Sequence, residues 1–120
     1  MSTFGPDFIG LQVSDLERSA TFYERHLGLT RGQTRPDAIV YFTEPIPMAL
    51  RTPLPHTDLS AGPVGLGIAV WIRVSNTREL HDRLTKAGVQ VLTSPSESPF
   101  GLHFTFRDPD GYAITIHDGQ

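Results

Sequence analysis

Two histidines on either side of a tight turn are the side chains of this 120-residue sequence best suited to chemistry. His103 and His117 flank the run Asp108, Pro109, Asp110, Gly111, Tyr112, and each lies in a stretch of alternating apolar residues. A histidine titrates near neutrality and can serve as general acid, general base or metal ligand. Near them in type, if not in sequence, are Trp71 as a flat apolar surface, Arg51 and Arg73 as anion-binding groups, and Gln12 and Thr115 as neutral hydrogen-bonding groups. No carboxylate falls close to the two histidines on the same predicted strand face, so a pair of imidazoles there lacks the further ligand that a closed metal site needs. The chain also shows no recognisable nucleophile paired with a base.

These residues depend on strands that alternate and helices that cap them. Residues 8–13 alternate and end at Ser14 and Asp15. With Ser14 as cap, Glu17 stands where a capping-box acid belongs. Leu16, Ala20, Tyr23 and Leu27 then form one helical stripe, and Gly28 follows at the left-handed C-cap position. Residues 39–42 and 47–51 read as short strands, with turns at 32–36 and 44–47. Pro53, Pro55, Gly62 and Pro63 mark a loop-like linker. The plan then repeats: residues 67–74 as strand, Asn76 as cap with Glu79 three residues on, Leu80, Leu84 and Ala87 as stripe, Gly88 as stop. Residues 89–92, 103–107 and 112–117 complete the strands, and residues 94–101 form a Pro- and Ser-rich loop suited to a lid or rim. The expected domain spans 1–120, with module one over about 6–52, a linker over about 53–65 and module two over about 66–118.

Because strand side chains alternate faces, the apolar set identifies the face that meets the helices. Ile68, Val70, Ile72 and Val74 go inward, which leaves Gly67, Ala69, Trp71 and Arg73 on the open face. By the same rule Ile9, Leu11 and Val13 are inward and Phe8, Gly10 and Gln12 open; Met48 and Leu50 are inward and Ala49 and Arg51 open. Phe104, Phe106, Ile114 and Ile116 are helix-side, so His103, Thr105, Thr115 and His117 are open. Phe8, Trp71 and Tyr41 supply flat walls, and Gln12, Arg51, Arg73, His103, Thr115 and His117 supply polar groups, the composition of a small-molecule pocket. Each also has a plainer role. Trp71 fills a core or a dimer interface as readily as it stacks a ligand, the two arginines suit a solvated rim, and His103 and His117 can pair as an inert polar cluster. His26 complements a helix dipole, His81 is expected at the surface, and His56 lies in the linker.

The early segment VSDLERSATFYERHLGL and the final FTFRDPDGYAITIHD, in this order and at this separation, resemble the vicinal oxygen chelate superfamily of glyoxalase I, extradiol dioxygenases, fosfomycin-resistance enzymes and bleomycin-resistance proteins. The resemblance covers nearly the whole chain. It implies an α+β fold of two βαβββ modules, whose curved mixed sheets surround a cleft with the helices on the outer face. The open-face residues above, Ala49 and Ala69 among them, would line that cleft. Metal-dependent members carry a ligand at positions that match Phe8, Ala49, Ala69 and Thr115. Phenyl and methyl groups offer no lone pair to a divalent ion. The resemblance therefore implies the bleomycin-resistance branch: no metal and no cofactor, and a homodimer that binds an aromatic antibiotic or metabolite. The alternatives are a metal-free lyase or isomerase with His103 or His117 as general base, and a purely structural homodimer.

Composition narrows the classes further. Ten basic against thirteen acidic residues give a net charge of -3, and the basic residues are scattered, which argues against nucleic acid as a partner. A hydrophobic content of 38% suffices for one modest core. The absence of cysteine excludes a disulfide framework and thiolate metal sites. MSTFGPDF has neither a basic n-region nor an apolar h-region, and no apolar run is long enough to cross a bilayer, so a cytoplasmic location with no membrane partner is expected.

Overall fold

A computed structural model describes residues 1–119 and divides the chain into two compact units, Met1–Ala61 and Gly62–Gln120. The first contains β1 (Ile9–Gln12), α1 (Leu16–Leu27), β2 (Arg31–Arg35), β3 (Ala38–Tyr41) and β4 (Met48–Arg51). They form a four-stranded sheet in the order β1-β4-β3-β2, with β1 parallel to β4 and the other pairs antiparallel. Val13 donates its N–H to Arg51 O at 2.8 Å, so the ladder contacts reach the end of the alternating run at residue 13. The helix cap is Asp15 and not Ser14: the Asp15 carboxylate accepts from Arg18 N at 3.0 Å. Gly28 closes α1 in the left-handed region, φ 68°, and its N–H reaches Tyr23 O, as the sequence predicted.

The inward row of this sheet is set by register. Ile9 faces Met48 and Met48 faces Tyr41; Leu11 faces Leu50 and Leu50 faces Ile39. Tyr41 thus belongs to the helix side, which corrects its assignment to the open face. It is fully buried, and its hydroxyl donates to Glu24 Oε2 on α1 at 2.7 Å. Arg31 Nε donates to the same carboxylate oxygen at 2.9 Å and its Nη atoms reach Glu17 at 3.3 Å. The Tyr41 hydroxyl, with help from Arg31 and against some desolvation, holds the Glu24 carboxyl below its usual range, while burial first and Glu24 second push the Tyr41 phenol up. Residues 32–36, read as a turn, are mostly strand β2. Its five residues, RGQTR, lie at the sheet edge, and its pairing with β3 is broken by an irregularity between Arg31 and Thr34, so no alternation marks it.

The second unit contains β5 (Val70–Arg73), α2 (Thr77–Lys86), β6 (Ser96–Ser98), β7 (Gly101–Arg107) and β8 (Ala113–His117), ordered β5-β8-β7-β6 with β5 parallel to β8. Asn76 caps α2 by accepting from Glu79 N at 3.0 Å. Phe104, Phe106, Ile114 and Ile116, all fully buried with Leu84, form the core set that alternation named. Several boundaries differ. β5 begins only at Val70, so Ile68 lies outside it and is 72% exposed. Ala87 is exposed instead of continuing the Leu80 and Leu84 stripe. Residues 89–92 contribute a single bridge, Val91 to Phe106, and His81 packs edge-on against Phe104 at 5.2 Å. The loop read at 94–101 contains strand β6 and a tight return into β7, in which Ser98 Oγ donates to Gly101 O at 2.9 Å and accepts from Phe100 N at 3.1 Å. A three-residue polar strand carries too little pattern to be seen in sequence. Gly101 has φ 90°, and a Cβ there would come within 2.7 Å of Asp118 Oδ1, so only glycine fits.

Two carboxylates fasten this unit. Asp108 Oδ1 accepts from the N–H groups of Asp110, Gly111 and Tyr112 at 3.0, 3.0 and 2.9 Å, closing the turn between β7 and β8. Asp118 accepts from Thr77 N at 3.2 Å and Leu102 N at 3.1 Å, tying the start of α2 to β7. Among the described residues no helix is long and apolar enough to cross a membrane.

The Thr77 N–H, foremost among the groups around it, holds the Asp118 carboxyl below its ordinary value of 3.8. A depressed carboxylate stabilises the native state above its unfolded value and loses that contribution as pH falls through the folded one. Asp118→Ala is expected to lower the unfolding temperature at neutral pH and to flatten the acid limb of the stability curve. Urea unfolding across pH 2 to 7 checks this; a variant that keeps the parent's acid dependence shows that Asp118 is not part of it.

Candidate functional site

Register brings the chemistry-bearing residues of the second unit into two rows on the sheet face away from α2. Trp71 lies opposite Thr115 and Thr115 opposite Thr105; Arg73 lies opposite His117, His117 opposite His103, and His103 opposite Ser96. The two histidines, fourteen residues apart in sequence, are therefore direct cross-strand partners. Trp71, 45% exposed, leans toward both. Its ring is stacked on His103 with centroids 6.0 Å apart and an interplanar angle of 16°, and it meets His117 edge-on at 5.7 Å. Phe100 completes the group at 5.6 Å from Trp71 and 6.5 Å from His117. Sequence reading missed Phe100 because it assigned residues 94–101 to a loop; an aromatic residue beside Gly101, just ahead of an alternating strand, was the available signal.

Both imidazoles are oriented by backbone carbonyls. His103 Nδ1 lies 2.8 Å from Ser96 O, and His117 Nδ1 lies 3.2 Å from Phe100 O. A carbonyl only accepts, so Nδ1 carries the proton in each and Nε2 is left with the lone pair when the ring is neutral. The pair thus offers two acceptors or, in a reaction, two bases whose tautomers are already chosen. Thr115 is less available, since its hydroxyl is bonded to that of Thr105 at 2.8 Å. The Arg73 side chain is exposed and makes no hydrogen bond or ion pair among the described residues.

The corresponding face of the first unit is quieter. Phe8, 51% exposed, precedes β1 and lays its ring beside Gly10. Gln12 Oε1 accepts from Leu54 N at 2.8 Å, and Arg51 Nε donates to Thr52 O at 2.9 Å while its Nη2 stands 4.0 Å from Asp37. Ala49 is buried between Gly10 and Val40 on the flanking strands. A depression of about 330 Å³ at the end of α1 is lined by Gly28, Thr30, Arg31, Tyr41, Phe42 and Thr43 among others; Arg31 and Tyr41 are bonded to Glu24, and Thr43 Oγ1 donates to Ile46 O at 2.6 Å.

The metal positions that the resemblance implied hold a phenyl ring, two methyl groups and a hydroxyl already bonded to a neighbour: Phe8, Ala49, Ala69 and Thr115. These side chains do not fit a divalent ion. Among the described residues no three histidine or acidic side chains gather into a group that could hold one.

The chain matches, over residues 5–116, the family model described as Glyoxalase/Bleomycin resistance protein/Dioxygenase superfamily. Among solved structures it is similar to a glyoxalase-related enzyme from Fulvimarina pelagi, with TM-score 0.78 and 26% identity over 96% of this chain and 88% of that one. TnmS3, an antibiotic binding protein from Streptomyces sp. CB03234, superposes with TM-score 0.78 at 22% identity, covering 100% of this chain and 99% of the other. The fosfomycin resistance protein FosX from Listeria monocytogenes gives TM-score 0.76 at 16% identity over 99% and 96%. At such identities the last two establish the shared fold alone. Among curated proteins, none matches the chain in sequence.

The carbonyl contacts make a spectroscopic prediction. In long-range ¹H–¹⁵N spectra at alkaline pH, His103 and His117 should both appear as Nδ1–H tautomers with unprotonated Nε2, the less common form of a free imidazole. A ring found with its proton on Nε2 would not have the acceptor role described here.

Proposed function

Because the chain belongs to the glyoxalase/bleomycin resistance protein/dioxygenase superfamily, we propose that it is a metal-independent small-molecule binding protein that sequesters a planar aromatic antibiotic or metabolite. The observation that carries this reading is the cluster of Trp71, Phe100, His103 and His117 on one sheet face, with Arg73 beside it. Stacked or edge-on aromatic contacts are each worth about 0.5–1.5 kcal/mol beyond the area they bury, so an exposed tryptophan held by three ring neighbours is a preorganised wall. The unsuitable side chains at Phe8, Ala49, Ala69 and Thr115 support independence from metal. One similar structure is that of an antibiotic binding protein.

A second reading, a lyase or isomerase without metal, is favoured by one observation: Nδ1 of both histidines is committed to a carbonyl, which leaves Nε2 positioned to take a proton from an acidic C–H or O–H. Product analysis separates the two. Stoichiometric binding with the ligand recovered unchanged supports sequestration, and turnover that collapses on replacing either histidine supports the enzyme.

Trp71 is the only tryptophan and therefore a clean reporter. Screening aromatic antibiotics and metabolites in buffer with EDTA should yield ligands that quench or shift its emission. Trp71→Ala should weaken their binding by about 1–3 kcal/mol through lost stacking and apolar burial. If affinity instead survives Trp71→Ala while the unfolding temperature falls, the tryptophan is a packing residue and this reading fails at its centre; loss of binding on chelation overturns metal independence.

The protein is also proposed to be a homodimer. Both units leave large apolar side chains in solvent, Phe42 at 67% and Phe8 in the first, Leu66 at 77% and Ile68 at 72% in the second, and such surfaces commonly pair. Light scattering at micromolar concentration should return twice the monomer mass. A monomeric mass refutes it.

A further inference from the structure

We propose that the row formed by Arg73, His117 and His103 selects planar aromatic acids that also carry a hydroxyl group, the hydroxyaryl carboxylates. The inference rests on the binding reading above and narrows its ligand to one chemical class. The three residues sit on adjacent strands in register, Arg73 on β5, His117 on β8 and His103 on β7. At a strand spacing of about 4.8 Å, the first and third are rooted roughly 10 Å apart across the face. That span suits the two ends of a fused aromatic ring system.

The two ends of the row ask for different groups. The Arg73 side chain is exposed and has no hydrogen-bond or ion-pair partner among the described residues, so its guanidinium presents donors in the fork that matches a carboxylate. The nearest acid in sequence to His117, Asp118, accepts from Thr77 N and Leu102 N. In the middle of the row and at its far end, Phe100 O and Ser96 O take the Nδ1 protons of His117 and His103, and each neutral ring presents an Nε2 lone pair that only a donor can satisfy. Arginine alone would accept any anion and the histidines alone any alcohol. Together they require an acid at one end and an O–H at the other, and they orient the ligand, because a carboxylate turned toward the histidines meets lone pairs. Trp71 and Phe100, 5.6 Å apart and nearly perpendicular at 67°, give the ring between those ends a face and an edge to rest on.

Isothermal titration with three probes tests this: a hydroxynaphthoate with acid and hydroxyl at opposite ends, its O-methyl ether, and its methyl ester. On the unaltered protein the hydroxy acid should bind roughly tenfold tighter than the ether, which cannot donate, and roughly tenfold tighter than the ester, which has lost its charge. Arg73→Gln should erase the preference for acid over ester and keep that for hydroxyl over ether. His103→Phe and His117→Phe, which retain an aromatic ring beside Trp71, should do the reverse. Equal affinity for the three probes overturns the proposal and leaves the binding reading standing. Failure of all three to bind overturns it too, and if no member of the aromatic panel moves Trp71 emission, the binding reading falls with it.

Discussion

The face that carries Trp71 and the two histidines depends on one buried carboxylate. Asp108 is only 5% exposed, and a charge so placed is tolerable only when its lone pairs are satisfied. One of its oxygens collects three successive N–H groups, and its own N–H is bonded to Tyr112 O at 3.0 Å. This closure decides where β8 starts relative to β7 and hence which residues meet across them. A shift of one residue in that hairpin would exchange the faces of every residue on β8, moving Ile114 and Ile116 out of the core and His117 into it. β5 inherits the same register through its parallel pairing with β8, so Trp71 and Arg73 are placed by a turn far away in sequence.

The two units share a plan in their apolar residues and differ in their polar fasteners. In the second, Asp118 ties the N-terminus of α2 to β7. In the first, Glu24 on the side of α1 holds Tyr41 and Arg31 from the sheet, with Arg31 also reaching Glu17. Cores are specified by volume and period, which many sequences satisfy, whereas a hydrogen-bonded fastener demands particular atoms at particular distances. The shared plan therefore survives in alternation and helical stripes, and each unit has found its own polar solution. The consequence for the sites is direct: in the first unit Gln12 and Arg51 both bond to the adjoining segment, while in the second the Arg73 side chain and both Nε2 atoms have no hydrogen-bond partner among the described residues.

What sequence could reveal followed the same division. The helices, the glycine stop at Gly28, the cap at Asn76 and the buried set Phe104, Phe106, Ile114 and Ile116 were legible, because long periodic segments average out local irregularity. The cross-strand pairing of His103 with His117 followed from alternation on either side of a recognisable turn. Illegible were the polar edge strands β2 and β6, exposed and without large apolar side chains to mark a period, and the placement of Tyr41. A tyrosine ending an alternating run reads equally well on either face until the partner of its hydroxyl is known, and Glu24 lies seventeen residues away. The orientation of the imidazoles was also hidden, since Ser96 O and Phe100 O are backbone atoms that no side-chain pattern announces.

Each unit joins its first strand to its last in parallel, β1 with β4 and β5 with β8. A parallel partner cannot be reached by a hairpin, so β1 waits for about forty residues of helix and meander before its ladder can form, and β5 waits equally long. Closing such a loop carries an entropic penalty that hairpins such as β2 with β3 or β7 with β8 largely avoid, and rates of folding fall as non-local pairings come to dominate. Trp71 and Arg73 therefore take their places late, on a strand whose neighbour among the described residues is the last strand of the unit. During synthesis the sheet face that carries Trp71 and Arg73 is absent until β8 has been made.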